Sequence, residues 1–315
     1  MRSSVYYTII IIIILLNTFS YSQDKIINVW SAEISGGINN SSYAETTILT
    51  ENDEHIINVT NPTLTTYFAS PEINNGTVVV ICPDWEYRKL AIPNEGIAVT
   101  RWLNQKGISV FILKYRLPNN SNMENKTIGP LQDIQESIRI VRRNLKQWNI
   151  NPNKICVMGF SAGGHLAASV STLYNYNAYE HHSISARPDF SILLYPVVLM
   201  KRKNNFPEST TRESLLGNTP DEKLENLFSA ELHVDENTPL AFIIHSVNEG
   251  SVSVQNSIIY FLALKKSDVS AELHLYESGG HGYGITGIGG SESHWHWTDA
   301  CEQWLKMHGL SNKII

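Results

Sequence analysis

A strand, a tight turn and a helix follow one another without a break in residues 154–168, KICVMGFSAGGHLAA. The apolar residues before Gly159 are typical of a buried strand, and the small residues after Ser161 predict a closely packed helix. The turn between them has the pattern Gly-x-Ser-x-Gly. In such a turn the serine takes a strained backbone conformation that exposes its hydroxyl, and the glycines let strand and helix cross closely. The stretch therefore makes Ser161 a candidate nucleophile.

Strands alternate with helices over most of the chain. Core strands are predicted at 77–82, 108–115, 155–158, 190–195 and 240–245, with a peripheral strand at 272–276. Helices are predicted at about 94–105, from Pro130 onward, after Ser161, at 254–266 and at 297–307. Two runs near the N-terminus, 56–59 and 64–68, look like antiparallel edge strands joined by a turn at Asn61-Pro62.

This alternation predicts a single α/β domain over residues 23–315, with a mainly parallel central sheet and helices on both faces. The segment 197–237 is longer and more polar than the other connections. It is a candidate cap insertion over the site.

The N-terminus has the layout of a secretory signal peptide. Arg2 precedes an apolar run at 6–16 with six consecutive isoleucines, and small residues, Ser20 and Ser22, precede a cleavage position before Gln23. The alternative is an uncleaved membrane anchor, but the run is short of the about 20 residues that span a bilayer. We expect residues 1–22 to be removed and the remaining chain to be secreted or periplasmic, with no membrane contact.

Charge and cysteine content exclude several classes of protein. The net charge is −6 and no block of Lys and Arg is present, which argues against a nucleic-acid partner. The chain has 3 cysteines, and two of them, Cys82 and Cys156, belong to predicted core strands. This favours buried free thiols over a disulfide framework. No pair has the spacing of zinc ligands, so we expect no metal site.

A serine nucleophile needs a base that takes its proton and an acid that orients the base. His281 is the best base, because it follows a predicted strand in a glycine-rich loop, Ser278-Gly279-Gly280-His281-Gly282. The competing histidines fit interior packing, an aromatic run or a polar loop: His165, His294, His296, His181 and His182.

The acid is expected after the predicted strand 240–245. Glu249 is the only carboxylate between Thr238 and Ser267, which makes it the candidate. Asp268 and Glu272 lie beyond the next predicted helix, too far from the strand end. The alternative for Glu249 is a solvated loop residue without a catalytic role.

Several motifs together carry a family resemblance. They are Cys82-Pro83 with Tyr87 and Leu90, KYRLP at 114–118, GPLQD at 129–133, GFSAGGHLA at 159–167, RPDF at 187–190 and GGHGYG at 279–284. From about Trp30 to its end, the chain resembles the bacterial exported esterases of the α/β-hydrolase superfamily related to acetyl xylan esterases and the hormone-sensitive-lipase-like group.

The resemblance implies an α/β-hydrolase fold and hydrolysis of a carboxylic ester without a cofactor, often of an acetyl group on a sugar. By position it implies Ser161 as nucleophile, His281 as base and Glu249 as acid. The family usually has aspartate at this last position, and a glutamate in the triad is an accepted variant.

One loop departs from the family pattern. The family has Pro-Gly-Gly-Gly-Tyr after the first core strand, and its glycine N–H groups complete the oxyanion hole. This chain has Pro83-Asp84-Trp85-Glu86-Tyr87 instead. The remaining candidate donors are the N–H of Ala162, at the N-terminus of the elbow helix, and the N–H of Asp84 or Trp85.

The replacement is unfavourable in two ways. A non-glycine residue forced into the left-handed region costs about 1–2 kcal/mol. Carboxylates close to an oxyanion repel it. Three explanations stay open: a rebuilt loop that still donates, a fold that has lost its activity, or an introduced change.

Three functions therefore compete. The first is a secreted serine esterase that deacetylates carbohydrate or cleaves another small ester. The second is a catalytically impaired binding module, suggested only by Asp84-Trp85-Glu86. The third is another acyl hydrolase, such as a peptidase or lipase. The polar residues of 197–237, with Lys201-Arg202-Lys203, favour a polar substrate over lipid.

Overall fold

The computed structural model of the chain describes residues 25–50, 54–180, 183–201, 210–285 and 296–312. The predicted signal peptide lies outside these ranges, as do His181, His182 and His294. Within the described residues, eight strands form one sheet in the order β1-β4-β6-β5-β7-β8-β9-β10, and β2 pairs with β3 in a second sheet. The strands are β1 (Lys25–Asn28), β2 (Thr46–Leu49), β3 (Glu54–Ile57), β4 (Thr63–Tyr67), β5 (Val78–Cys82), β6 (Ser109–Lys114), β7 (Ile155–Phe160), β8 (Phe190–Leu194), β9 (Leu240–Ser246) and β10 (Ala271–Tyr276).

Helices connect these strands. They are α1 (Ala98–Asn104), α2 (Gly129–Arg143), α3 (Ser161–Thr172), α4 (Thr210–Leu216), α5 (Glu222–Phe228), α6 (Gln255–Lys266) and α7 (Trp297–Met307). A π-helical turn, Ile92–Ile97, leads into α1, and a 3-10 turn, Ala230–Leu232, follows α5. None of the helices in the described ranges is long and apolar enough to cross a membrane.

The central strands are apolar on both faces because helices cover both faces. In β5 the side chains of Val78, Val80 and Cys82 belong to one core cluster, and those of Val79 and Ile81 belong to the other. All neighbours from β6 across to β10 are parallel, whereas β1 and β6 both run antiparallel to β4. Such continuous apolar runs are typical of buried parallel strands. The predicted mainly parallel sheet is confirmed.

The predicted N-terminal hairpin is wrong. The run at 56–59 contributes to β3, which pairs with β2, whereas 64–68 contributes to β4, which pairs with β1 and β6. Asn58 has a positive φ of 52°, and this left-handed residue redirects the chain before Asn61-Pro62. The two runs therefore enter different sheets.

A buried ion pair connects the end of β6 to α2. The Arg116 guanidinium donates to the Asp133 carboxylate at 2.8 to 3.1 Å, and Trp30 Nε1 donates to the same carboxylate at 2.8 Å. The side chains of Arg116 and Asp133 are 1% and 0% exposed. The KYRLP and GPLQD motifs thus meet in the interior.

The three cysteines are free and buried, as the sequence predicts. Burial raises the pKa of the Cys82, Cys156 and Cys301 thiols. They therefore remain protonated and pack as small apolar side chains.

Candidate active site

The predicted elbow forms between β7 and α3. Ser161 has a φ of 51°, in the left-handed region, and starts α3. A Cβ on Gly159 would lie 2.1 Å from the Gly163 carbonyl oxygen, and one on Gly163 would lie 2.0 Å from the Cys82 carbonyl oxygen. A side chain at Gly159 would force β7 away from α3, and a side chain at Gly163 would force α3 away from β5. The Gly-x-Ser-x-Gly pattern is thus a steric requirement of this crossing.

Ser161, His281 and Glu249 form one hydrogen-bonded chain. His281 Nε2 lies 2.9 Å from Ser161 Oγ, and His281 Nδ1 lies 2.5 Å from Glu249 Oε2. A proton on Nδ1 that is donated to the carboxylate leaves Nε2 free to accept from the serine hydroxyl. The structure brings together all three residues proposed from the sequence, in the geometry that general-base activation of a serine requires.

The Glu249 carboxylate is held by its own loop. Its Oε1 accepts from the N–H groups of Ser251 and Val252, both at 2.6 Å, and its side chain is fully buried. The longer glutamate side chain folds back onto these two N–H groups. Its other oxygen is thereby fixed toward His281.

A second histidine, His245, is hydrogen-bonded to the loop that carries Glu249. Its Nε2 lies 3.0 Å from the Val252 carbonyl oxygen, and its Nδ1 lies 2.8 Å from Ser257 Oγ. Burial lowers the pKa of His245 to about 4, so the ring is neutral at neutral pH. Its Nε2–H then donates to Val252, and Nδ1 accepts from Ser257.

The loop that carries His281 is fixed at two points. The Gly280 N–H donates to Asn248 Oδ1 at 2.9 Å, which links it to the loop of Glu249. The Tyr195 ring lies against the imidazole, with centroids 4.9 Å apart. Gly280 and Gly282 have φ values of 64° and 74°, which a residue with a side chain rarely adopts.

The loop after β5 differs from the sequence expectation. The Asp84 N–H donates to Glu95 Oε2 at 2.9 Å, and the Trp85 N–H donates to the Lys89 carbonyl oxygen at 2.8 Å. Neither N–H is free for an oxyanion, so the expectation for Asp84 and Trp85 does not hold in this loop conformation. The Trp85 N–H is used inside a tight turn, in which Glu86 and Tyr87 have φ values of 59° and 58°. The Asp84 N–H is used by a buried glutamate of the π-helical turn.

Ala162 differs from these two residues. Its N–H lies in the first turn of α3, where N–H groups have no acceptor within the helix. The positive end of the helix dipole adds to the attraction of this position for an anion. Of the three N–H groups considered from the sequence, that of Ala162 fits an oxyanion donor.

Asp84 is a buried acid in this loop. The residue is 2% exposed, and its carboxyl accepts from the Tyr87 N–H at 2.9 Å and lies beside the Tyr115 hydroxyl. Burial raises the pKa of Asp84 to about 8, against the opposing effect of these hydrogen bonds. The group is therefore mostly protonated at neutral pH. The expected repulsion between this carboxyl and an oxyanion is correspondingly smaller.

Two residues of the site were not found from the sequence. Glu95 is buried, and its Oε1 accepts from the Tyr195 hydroxyl at 3.3 Å. The same hydroxyl accepts from the Gly284 N–H at 2.9 Å, which connects the loop after β5 to the loop of His281. A glutamate early in a predicted helix is not expected to be buried. A tyrosine at the end of a predicted strand is typical of the core, so neither residue was assigned to the site.

A cavity of about 510 Å³ opens over Ser161 and His281. Its other lining residues are Asp84, Trp85, Glu86, Ala91, Asn94, Glu95, Thr210, Thr211, Ser251, Val252 and Gly282. Thr210 and Thr211 begin α4, which lies within the segment 197–237. The start of α4 therefore forms part of the cavity wall.

Two histidines that competed with His281 in the sequence, His165 and His296, lie away from this chemistry. His165 is fully buried between the Tyr87 hydroxyl and the Phe228 carbonyl oxygen, at 2.9 and 2.8 Å, and burial lowers its pKa to about 4. It packs as the sequence indicates. His296 is exposed beside Asp299. In the part of the chain that the structure covers, no cluster of three or more His, Cys, Asp or Glu could hold a metal ion.

The sequence matches known proteins over most of its length. The sequence model of a family described as BD-FAE matches residues 86–264, more than half of the chain. An acetylxylan esterase from Xylanibacter ruminicola is 37% identical over 217 residues, which are 68% of this chain and 42% of that protein. Endo-1,4-beta-xylanase B from Butyrivibrio fibrisolvens is 30% identical over 224 residues, 70% of this chain and 34% of that protein. The chain thus spans less than half the length of these two relatives.

Solved structures share the fold. An acetyl ester-xyloside bifunctional hydrolase from Caldicellulosiruptor lactoaceticus is 30% identical with a TM-score of 0.77, covering 94% of this chain and 100% of that one. A thermophilic esterase from Thermogutta terrifontis has a TM-score of 0.67 at 20% identity, covering 87% and 97%, and shows a likeness of fold. The chain has the α/β-hydrolase fold of these esterases and belongs to the BD-FAE family.

Proposed function

We propose that the protein is a secreted serine esterase that removes acetyl groups from carbohydrate. The observation that carries this proposal is the hydrogen-bonded chain from Ser161 Oγ through His281 to Glu249, at 2.9 and 2.5 Å, under an open cavity. A buried acid, a fixed imidazole and a serine at an elbow are the three parts that acyl transfer needs.

The geometry supports a two-step reaction through an acyl-enzyme. Ser161 Oγ attacks the ester carbonyl carbon while His281 Nε2 takes its proton, and the Ala162 N–H stabilises the oxyanion. The intermediate collapses, and the departing alcohol takes the proton from His281. Water then attacks the acyl group with His281 again as base, which releases acetate and the free serine. Glu249 stabilises the imidazolium in both steps.

The substrate class rests on similarity and on the cavity. The similar proteins are named for acetylxylan, xylan and acetyl ester-xyloside chemistry. The cavity offers hydroxyl, amide and carboxyl side chains, including Asn94, Thr210 and Ser251, which suit the hydroxyl groups of a sugar. Secretion is supported by the predicted signal peptide in residues 1–22.

A second candidate is a catalytically impaired protein on the same fold. It is favoured by one observation: the N–H groups of Asp84 and Trp85 are both used within their loop. Loss of one oxyanion donor costs about 10²–10³ in rate. Under this alternative, substrate binds but turnover is very slow.

Acetate release from acetylated xylo-oligosaccharides tests both candidates. We expect release by the protein and none above background by Ser161→Ala. Equal release by both proteins would contradict the proposal. No release by a folded protein would favour the impaired form. Tributyrin and a peptide p-nitroanilide in the same assay test the third class, a lipase or peptidase.

A further inference from the structure

We propose that Trp85 is the platform on which a sugar ring of the substrate stacks beside Ser161. This inference rests on the proposed function and adds to it a specific binding contact. Trp85 lines the cavity that contains Ser161 and His281. Its side chain is large and apolar, yet the residue is 47% exposed. An aromatic ring left open to solvent at the wall of a polar cavity is available for a ligand.

The loop holds Trp85 in place before any ligand binds. The Trp85 N–H donates to the Lys89 carbonyl oxygen at 2.8 Å, and the N–H groups of Arg88 and Lys89 donate back to the Trp85 carbonyl oxygen at 3.0 and 3.3 Å. This closed turn fixes the backbone on both sides of the side chain. Little conformational entropy is then lost when a ligand settles on the ring.

Two side chains also restrain the indole itself. The Lys89 ammonium lies 3.9 Å from the ring centroid, a cation–π contact. The His55 ring lies edge-on, with centroids 5.5 Å apart and an interplanar angle of 78°. The ring is therefore oriented by its neighbours, while the residue as a whole is 47% exposed.

The chemistry of this surface fits a sugar ring. The face of an indole carries partial negative charge. One face of a pyranose presents C–H groups, which are apolar and slightly positive, so the two faces attract each other. The polar side chains of Asn94, Thr210 and Ser251 line the same cavity and can bond the hydroxyl groups at the edge of the ring. The residue that departs from the glycine pattern thus supplies a surface that glycine lacks.

Equilibrium binding tests the platform separately from catalysis. Acetylated xylotriose is titrated calorimetrically into Ser161→Ala and into the same variant carrying Trp85→Ala, Trp85→Phe or Tyr176→Ala. Tyr176 is a matched control, an aromatic residue that is 38% exposed and outside this cavity. We expect Trp85→Ala to raise the Kd about tenfold, because removal of one aromatic stacking contact typically weakens binding by about this factor or more. Trp85→Phe should keep most of the affinity, and Tyr176→Ala should not change it.

An unchanged Kd in Trp85→Ala would overturn the inference, as would the absence of any binding to Ser161→Ala. Steady-state kinetics give a second readout, in proteins that keep Ser161 and differ only in Trp85→Ala. Trp85→Ala should raise KM for acetylated xylotriose much more than KM for ethyl acetate, which has no ring to stack. Failure of the proposed function is observed separately in the acetate assay, as release that does not depend on Ser161 or as no release by the folded protein. Circular dichroism of each variant confirms that the fold is kept.

Discussion

Glu95 Oε2 accepts a hydrogen bond from the backbone N–H of Asp84 at 2.9 Å. Both residues are buried, and both line the cavity over Ser161. Glu95 therefore occupies one of the N–H groups that the family resemblance makes candidate donors of an oxyanion hole. The site thus combines a hydrogen-bonded arrangement of serine, histidine and glutamate with a loop whose backbone N–H is already bonded to Glu95.

Glu95→Gln should raise kcat for acetate release. The amide keeps the size of the side chain but accepts a hydrogen bond more weakly, so the Asp84 N–H becomes easier to redirect to an oxyanion. We expect about a tenfold gain in kcat. Steady-state kinetics measure it, with Glu302→Gln on α7 as a control. A kcat equal to or below that of the parent protein would mean that Glu95 does not withhold a donor.

Glu249→Gln should lower kcat by about 10³–10⁴ while the fold is kept. The amide N–H group would face His281 Nδ1 and favour the tautomer in which Nε2 carries the proton. That imidazole cannot accept from Ser161. Glu277→Gln, an exposed change near the His281 loop, is the matched control. If both variants turn over like the parent protein, the acid must be sought elsewhere.

Asp84→Asn should flatten the dependence of stability on pH. The Asp84 carboxyl has a pKa of about 8 in the folded protein, against a usual value of 3.8. Between these two pH values, the folded state therefore holds a proton on Asp84 that the unfolded state has lost. Stability from this group is fully present below pH 4 and is lost as the pH rises toward 8, by at most about 1.4 kcal/mol per pH unit.

Urea unfolding at pH 5, 6.5 and 8 checks this slope. Asparagine carries no such proton, and its oxygen can still accept from the Tyr87 N–H. The variant should gain stability over the parent protein as the pH rises. Parallel pH profiles for the two proteins would show that Asp84 is ionised in the folded state.

Glu86→Gly should stabilise the protein slightly. Glu86 has a φ of 59°, which costs a residue with a Cβ about 1–2 kcal/mol, whereas glycine adopts it freely. The greater freedom of glycine in the unfolded chain offsets about 0.5–1 kcal/mol of that gain. Thermal unfolding measures the change in stability, with Glu236→Gly as the control. Glu236 is exposed and lies outside the left-handed region, so glycine there should destabilise the protein. Similar losses in both variants would argue against strain at Glu86.

Local patterns explain why much of the fold was predictable. The buried strand, the glycines and the helix around Ser161 are contiguous, and their order alone determines an elbow at a strand end. His281 and Glu249 could be found because each lies just after a predicted strand, and parallel strands bring such loops to one edge. The closing helix was predicted at 297–307, the bounds it has in the structure.

The rest depends on backbone paths that residue types do not reveal. The hydrogen bond from the Trp85 N–H to Lys89 closes a turn through left-handed residues at Glu86 and Tyr87, where the sequence offers no glycine. The hydrogen bond from the Asp84 N–H reaches Glu95 in the π-helical turn. The path from β3 into the other sheet likewise passes through the left-handed residue Asn58. Burial of a glutamate in an otherwise ordinary helical run leaves no periodic signal.

Covalent labelling tests the central claim, that Ser161 is an activated nucleophile. The protein is treated with a fluorophosphonate, and its peptides are analysed by mass spectrometry. We predict one adduct per chain, on Ser161, that is absent in Ser161→Ala and forms about 10³-fold more slowly in Glu249→Gln. An adduct on another residue, or no adduct on a folded protein, would contradict the account.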